Sequence, residues 1–194
     1  MIRLLRKNGF NCFPIPSNQK IADYRYKASR TILNQTIKEN ENFGYIPISG
    51  MGTAIIDLDN KEKYKSFAEH MIKQGNMVIE TPHGWHIPVV GLSGHISKIE
   101  LFDYSFQSKK IIEIQGSDHY CVGACSQIID EETQKIVKYE NTGTNKVWNA
   151  NNMDFHQFVD ELCSQCKVES RKKNSRSSHK NFRDRFLKGL PPTK

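Results

Sequence analysis

Two stretches of this chain are apolar enough to lie in a core, yet each carries carboxylates that a core does not tolerate unpaired. The first is Ala54-Ile-Ile-Asp-Leu-Asp-Asn60 and the second Lys110-Ile-Ile-Glu-Ile-Gln-Gly116. Both are short, rich in β-branched residues and bounded by turn formers, which predicts strands. Side chains alternate faces along a strand, so Asp57 and Asp59 point the same way. Glu113 sits between Ile112 and Ile114 and must turn away from the core that they build. A carboxylate in mid-strand of an apolar run calls for a partner. Two carboxylates about 7 Å apart on one strand repel unless a cation lies between them. Hard divalent ions take oxygen ligands of this kind, and two-metal phosphoryl transfer needs such a clamp. The competing readings are a strand end with solvated aspartates and, for Glu113, an exposed sheet face.

The remaining elements follow from pattern. A helix or turn precedes a short strand at residues 10–14, and a helix is expected at about 29–39. Further strands are predicted around 43–47, 53–58, 77–80, 85–90, 99–104, 109–114 and 120–122, the last continuing the same sheet. A solvent-facing hairpin is predicted at 128–139. Residues 60–74 form an amphipathic helix with Phe67, His70 and Met71 at helical spacing and Gly75 as its C-cap. A second helix spans 153–167, opened by Asn152 or Asp154. Its Phe155 and Phe158 read as packing surface, as do Phe182 and Phe186 in a short tail helix. The order is that of an α+β protein, a mixed or antiparallel sheet flanked by helices.

Between the two acidic strands lies Glu80-Thr-Pro-His-Gly-Trp-His-Ile-Pro-Val, with His86 entering a strand after a tight turn at His83-Gly84. Asp-x-Asp on a strand, then Thr-Pro-His-Gly-x-His, then an acidic strand, resembles the archaeo-eukaryotic primase superfamily. The similarity is greatest to the primase–polymerase (prim-pol) domain of plasmid, viral and mobile-element replication proteins. Pro14-Ile-Pro-Ser-Asn-Gln-Lys20, Asn42-Phe-Gly-Tyr-Ile-Pro-Ile-Ser-Gly-Met-Gly52 and Glu113-Ile-Gln-Gly through Tyr120-Cys-Val and Ser126 also resemble segments of that family. The resemblance covers about residues 10–130. The chain departs from the family at Gly84-Trp85, where many relatives have two small residues, and at Cys121 and Cys125.

That resemblance implies a prim-pol catalytic core with an RRM-like sheet over residues 1–166. It implies a template-dependent nucleotidyl transferase, a DNA primase or DNA polymerase, working on single-stranded DNA with nucleoside triphosphates. Asp57, Asp59 and Glu113 would be catalytic and hold two Mg²⁺ or Mn²⁺ ions. His86 would contact the triphosphate, with Lys20, Thr81, His83 and Ser126 as further nucleotide-pocket candidates. A separate replicative helicase is the implied partner.

Charge adds a nucleic-acid argument. The net charge is +7, but ten of the 28 Lys/Arg and two of the 21 Asp/Glu fall in residues 167–194, so this tail carries +8 and the rest −1. A separable basic tail, or linker, suits an anionic partner. Template contact is expected from Lys98, Lys109 and Lys110 and from the tail's Arg171, Lys172 and Lys173. Five cysteines and no signal-peptide pattern predict reduced thiols in the cytoplasm. No apolar run suits a membrane span. A zinc site built on Cys163-x-x-Cys166 would need Cys121, Cys125 or His119 to complete it. Two other functions compete: a catalytically inactive nucleic-acid-binding replication module, and a rolling-circle initiator nuclease using His83 and His86 with Tyr104 as nucleophile.

Overall fold

A computed structural model describes residues 1–20, 36–38, 41–103, 109–117 and 119–170, without the side chains of 109, 110, 169 and 170. The elements in order are α1 (Ile2–Lys7), β1 (Phe10–Pro14), β2 (Phe43–Pro47), β3 (Ala54–Leu58), α2 (Lys61–Lys73), β4 (Ile79–Glu80), β5 (Trp85–Ser93), β6 (Ile99–Asp103) and β7 (Lys109–Gln115). They continue with β8 (Cys121–Val122), β9 (Gln127–Ile129), β10 (Ile136–Lys138), β11 (Glu140–Asn141), β12 (Trp148–Asp154), α3 (Phe155–Cys166) and β13 (Glu169–Ser170). The fold is α+β with mostly antiparallel pairing. The predicted helices at 29–39 and in the tail lie outside the described residues.

The large sheet runs β11-β4-β5-β3-β7-β6-β13, and β12 adds to β5 in parallel. A smaller sheet, β1-β2-β8, lies beside it. The expectation that residues 120–122 continue the main sheet is therefore corrected: β8 pairs with β2, through Tyr45 opposite Cys121. β8 is two residues long and both are buried apolar side chains, so the stretch has no alternation to show which sheet it joins. The 128–139 hairpin is present as β9 and β10.

Two apolar clusters sit on opposite faces of the large sheet. Ala54, Ile56 and Leu58 of β3 belong to one, with Ile87, Ile112 and Ile114 from its neighbours and the inner faces of α2 and α3. Ile55 of the same strand belongs to the other, with Phe10, Tyr45, Cys121 and Val122 of the small sheet. The alternation along five residues thus sorts the molecule into two layers.

Helix α2 starts at Asn60, whose side chain accepts from the Lys63 amide at 3.0 Å. Its buried face is Tyr64, Ala68 and Met71. Met71 is buried as expected and Phe67 packs at the edge, but His70 is exposed, at the margin of the stripe. Lys63 reaches Asp103 at the end of β6 and ties the helix to the sheet. Asp154 opens α3 by accepting from the His156 and Gln157 amides at 2.9 and 3.2 Å. The predicted start at Met153 is two residues too early, because Met153 still belongs to β12. Phe155 and Phe158 are buried, as the packing reading required. Pro88, lacking an N–H, falls in the gap between the β4 and β12 pairings along one edge of β5.

The turn joining β4 to β5 is closed twice. The Thr81 amide donates to the Gly84 carbonyl and the Gly84 amide to Thr81 Oγ1, both at 2.9 Å. A Cβ on Gly84 would collide with the backbone carbonyl of Leu58, at the end of β3. Gly84→Ala should therefore push these strands apart and lower stability by about 3 kcal/mol. Urea denaturation measures it, and a loss below about 0.5 kcal/mol would show that the close approach does not matter.

Candidate active site

Strand β3 lies between β5 and β7, antiparallel to both, and the register places Asp57 directly opposite His86 on one side and Glu113 on the other. Directly opposed residues share a face with Cβ atoms about 4.5–5.5 Å apart. The three side chains therefore form one row across three strands, on the face turned toward the small sheet. Asp59 follows just beyond the end of β3, where its amide donates to the Ile111 carbonyl at 2.9 Å. It is exposed, whereas Asp57 is half-buried and Glu113 buried.

His86 links the two sheets. Its Nδ1 lies 3.3 Å from the Val122 carbonyl, which can only accept, so Nδ1 carries the hydrogen. Its Nε2 lies 3.4 Å from Asp57 Oδ1. Burial pushes the imidazole down to about 4, against the opposing pull of the Val122 carbonyl and of Asp59. A neutral ring in this tautomer turns the Nε2 lone pair toward a carboxylate, an arrangement that a cation between the two would relieve. Orientation of a histidine by a backbone carbonyl on its far nitrogen is the usual support for a metal-binding ring.

Further groups line the row. Cys121 comes close enough that single ligand atoms of Asp57, His86 and Cys121 lie within 4.8 Å of one another. Among the described residues this is the compact metal-type triplet; Asp59 and Glu113 are outside it. Burial, and then the charges of Asp57, Glu113 and Asp59, push the Cys121 thiol well up. Tyr45, fully buried opposite Cys121, has a hydroxyl without a hydrogen-bond partner among the described residues. Burial raises its ionisation, with Cys121 and Asp57 adding to it. The Tyr139 ring sits 5.8 Å from that of His86. Glu113 is held by Lys98, whose Nζ is 3.3 Å from Oε1, and by the side-chain amide of Gln115. Lys98 also reaches Glu100 at 3.6 Å.

The other expected site residues are distributed differently. Thr81 is buried and serves the β4–β5 turn. His83 pairs with Asp130 at 2.8 Å. Asp130 is held down to about 2, first by the Thr133 amide, then by the Thr133 hydroxyl, with His83 adding to it. Ser126 is fully buried, and its Oγ accepts from the Phe43 amide at 3.1 Å, fastening the edge of β2. The Lys20 carbonyl accepts from the Tyr120 hydroxyl at 2.9 Å. Trp85 faces the helical cluster, on the opposite side of the sheet from His86. Lys109 and Lys110 pair through their backbones with β6, but their side chains are outside the described set, and Tyr104, Arg171, Lys172 and Lys173 are outside the described residues altogether. All five cysteines are free thiols. Cys163 and Cys166 pack with the helical cluster and Cys121 with the other, so the sheet stands between the halves of the supposed zinc site.

Sequence reasoning brought Cys121 forward only as a zinc partner and passed over Tyr45 and Tyr139. The signal for Tyr45 and Cys121 is the pairing of Gly44-Tyr45 with Cys121-Val122 across the small sheet, which a pattern of apolar residues alone does not reveal. Among the described residues, the ligand atoms close enough to share one cation are those of Asp57, His86 and Cys121. Glu113 stands in the adjacent register position, held by Lys98 and Gln115, and Asp59 just beyond the strand end.

Without metal, His86 gives a clear pH signature. The unfolded chain binds a proton on this ring near 6.5 and the folded chain only near 4. Its stabilising contribution is full above the unfolded value and is lost as pH falls toward 4, by about 2–3 kcal/mol. Urea titrations in EDTA from pH 7 to 4 should show this loss in the wild type and a flatter profile in His86→Gln; parallel profiles would contradict the assignment. No protein-family model matches the chain, and a search of curated proteins finds no match.

Proposed function

We propose that the chain is a template-dependent nucleotidyl transferase, a DNA primase or polymerase that uses two divalent cations on a single-stranded template. The observation that carries this reading is the row Asp57, His86 and Glu113 across three adjacent strands, with Asp59 one step beyond. The resemblance to the prim-pol core predicted these four residues as one site, and its RRM-like sheet agrees with a β3 flanked by two antiparallel neighbours.

Asp57, Asp59 and Glu113 would hold Mg²⁺ or Mn²⁺, which when bound supply activation of the attacking 3′-hydroxyl and charge neutralisation at the leaving pyrophosphate. The chain's own part is positioning and electrostatics. Lys98 balances the charge of Glu113 and Glu100. His86 offers Nε2 as an acceptor in its neutral form. To donate to a triphosphate it must take up a second proton, which the polyanion itself favours. Template binding falls to sequence-independent phosphate contacts by the basic tail, and so weakens with salt.

A specific observation also bears on which ion is used. His86 nitrogen and Cys121 sulfur stand beside Asp57, and such softer donors favour transition metals over Mg²⁺. Extension of a labelled primer on single-stranded DNA should proceed faster with Mn²⁺ than with Mg²⁺. It should fall at least 100-fold in Asp57→Ala/Asp59→Ala. An unprimed lane separates priming from extension. A folded protein that binds DNA and makes no product in any lane would overturn the enzyme in favour of an inactive binding module. Template cleavage with a protein–DNA adduct would instead favour the initiator nuclease. That reading is weakened by the different partners of its two histidines, Asp130 for His83 and Asp57 for His86.

A further inference from the structure

A second feature adjoins the acidic row without being part of it. At the end of the large sheet where β3 begins and β5 finishes, a cavity of about 430 Å³ opens between the turn at residues 48–53, the β5–β6 connection and the segment after β7. Thr53, on its wall, is four residues from Asp57, about 13 Å along the strand. We propose that this cavity is a binding site for the phosphate group of a nucleotide, carried either on a free nucleotide or at the end of a nucleic-acid strand.

The lining chemistry argues for an anion. His95, His119 and Lys98 contribute nitrogen donors, and Ser49, Ser97 and Ser117 contribute hydroxyls. Among the described lining residues there is no carboxylate. Ser93 also lines the wall, but its hydroxyl is already given to the Asn152 carbonyl at 3.1 Å. An oxyanion accepts from the His95 imidazole and from the hydroxyls of Ser49, Ser97 and Ser117, and such charge-assisted bonds are the stronger kind; Lys98 adds positive charge at the wall while held by Glu113 and Glu100. A simple cation would find only neutral oxygens and imidazoles, with an ammonium among them.

Backbone geometry suits close approach of a ligand. Gly50 and Gly52 hold positive φ, at +82° and +65°, and Gly52 lies so close to the Leu92 backbone that a side chain has no room. The volume is far more than an inorganic phosphate needs and falls in the range of small-ligand pockets. A nucleotide suits this volume, with its phosphate among the donors.

Lys98 joins this cavity to the acidic row, since it lines the first and pairs with Glu113 in the second. The inference does not depend on the transferase reading. Its test is run in EDTA, where the acidic row has no catalytic part, so that either reading can fail alone.

Isothermal titration calorimetry would compare inorganic pyrophosphate, dATP, and a short oligothymidylate with and without a 5′-phosphate. The proteins are the wild type, His95→Ala/Ser97→Ala and Asp57→Ala, each checked for an unchanged melting profile. Binding of a phosphate-bearing probe should weaken about tenfold in His95→Ala/Ser97→Ala and persist in Asp57→Ala. Binding by dATP alone identifies a free nucleotide as the source. A gain from the 5′-phosphate on the oligonucleotide identifies a strand end. Absence of binding by every probe, or equal affinity in the wild type and the His95→Ala/Ser97→Ala protein, overturns the proposal.

Discussion

The antiparallel pairing of β3 with β5 and β7 is the constraint from which the rest of the molecule follows. It fixes Asp57 opposite both His86 and Glu113. A slip of one residue on either side would send one of these into the helical core and bring an isoleucine to the small sheet. Burying an unpaired carboxylate is costly enough that such slips are excluded. The acidic row is thus specified by the apolar residues that alternate with it. Ile56, Leu58, Ile112 and Ile114 need the helical layer, and Asp57 and Glu113 take the opposite face as a consequence.

That face is covered by a second layer, which is what makes the row a site. Val122 orients His86, and Tyr45 and Cys121 close the row from the small sheet. The covering layer is itself fastened by polar contacts at its edge. Asn42 donates to the Gln127 carbonyl at 2.5 Å and accepts from the Gln127 amide at 2.7 Å, while Ser126 holds the Phe43 amide. The family resemblance pointed to Ser126 as a pocket residue. Its buried place shows another way in which a serine at that position supports the site, by holding the strand that carries Tyr45.

The local parts of this arrangement were legible in the sequence. The alternation in residues 54–58 and 111–114 identified both acidic strands and the shared face of Asp57 and Glu113, while Asp59 falls beyond the strand as an exposed residue; apolar spacing identified α2. Pairing was not legible, because it depends on residues far apart in the chain. Cys121 is 64 positions from Asp57, and β8 is two residues long with no pattern of its own. Lys98 read as a surface cation suited to template phosphates, whereas the register of β6 on β7 places Glu100 opposite Glu113 and so brings Lys98 between them. Two like charges in directly opposed positions require a counter-charge, and the lysine two residues upstream of Glu100 supplies one.

The same electrostatics account for the state of the neutral groups around the row. Asp57, Asp59 and Glu113 raise the Cys121 thiol beyond what burial does alone, and Asp57 acts likewise on Tyr45 and Tyr139. A thiol so placed stays protonated and is no nucleophile. The buried phenols stay protonated too, and can act as donors. A divalent cation among the carboxylates would reverse the sign of this field at close range. It would lower the thiol and the phenols together and loosen the hold of Glu113 on Lys98. The charge of one such ion would therefore set the protonation of several side chains that need not touch it. For this reason the acidic row, His86 and the covering layer are best regarded as a single electrostatic unit.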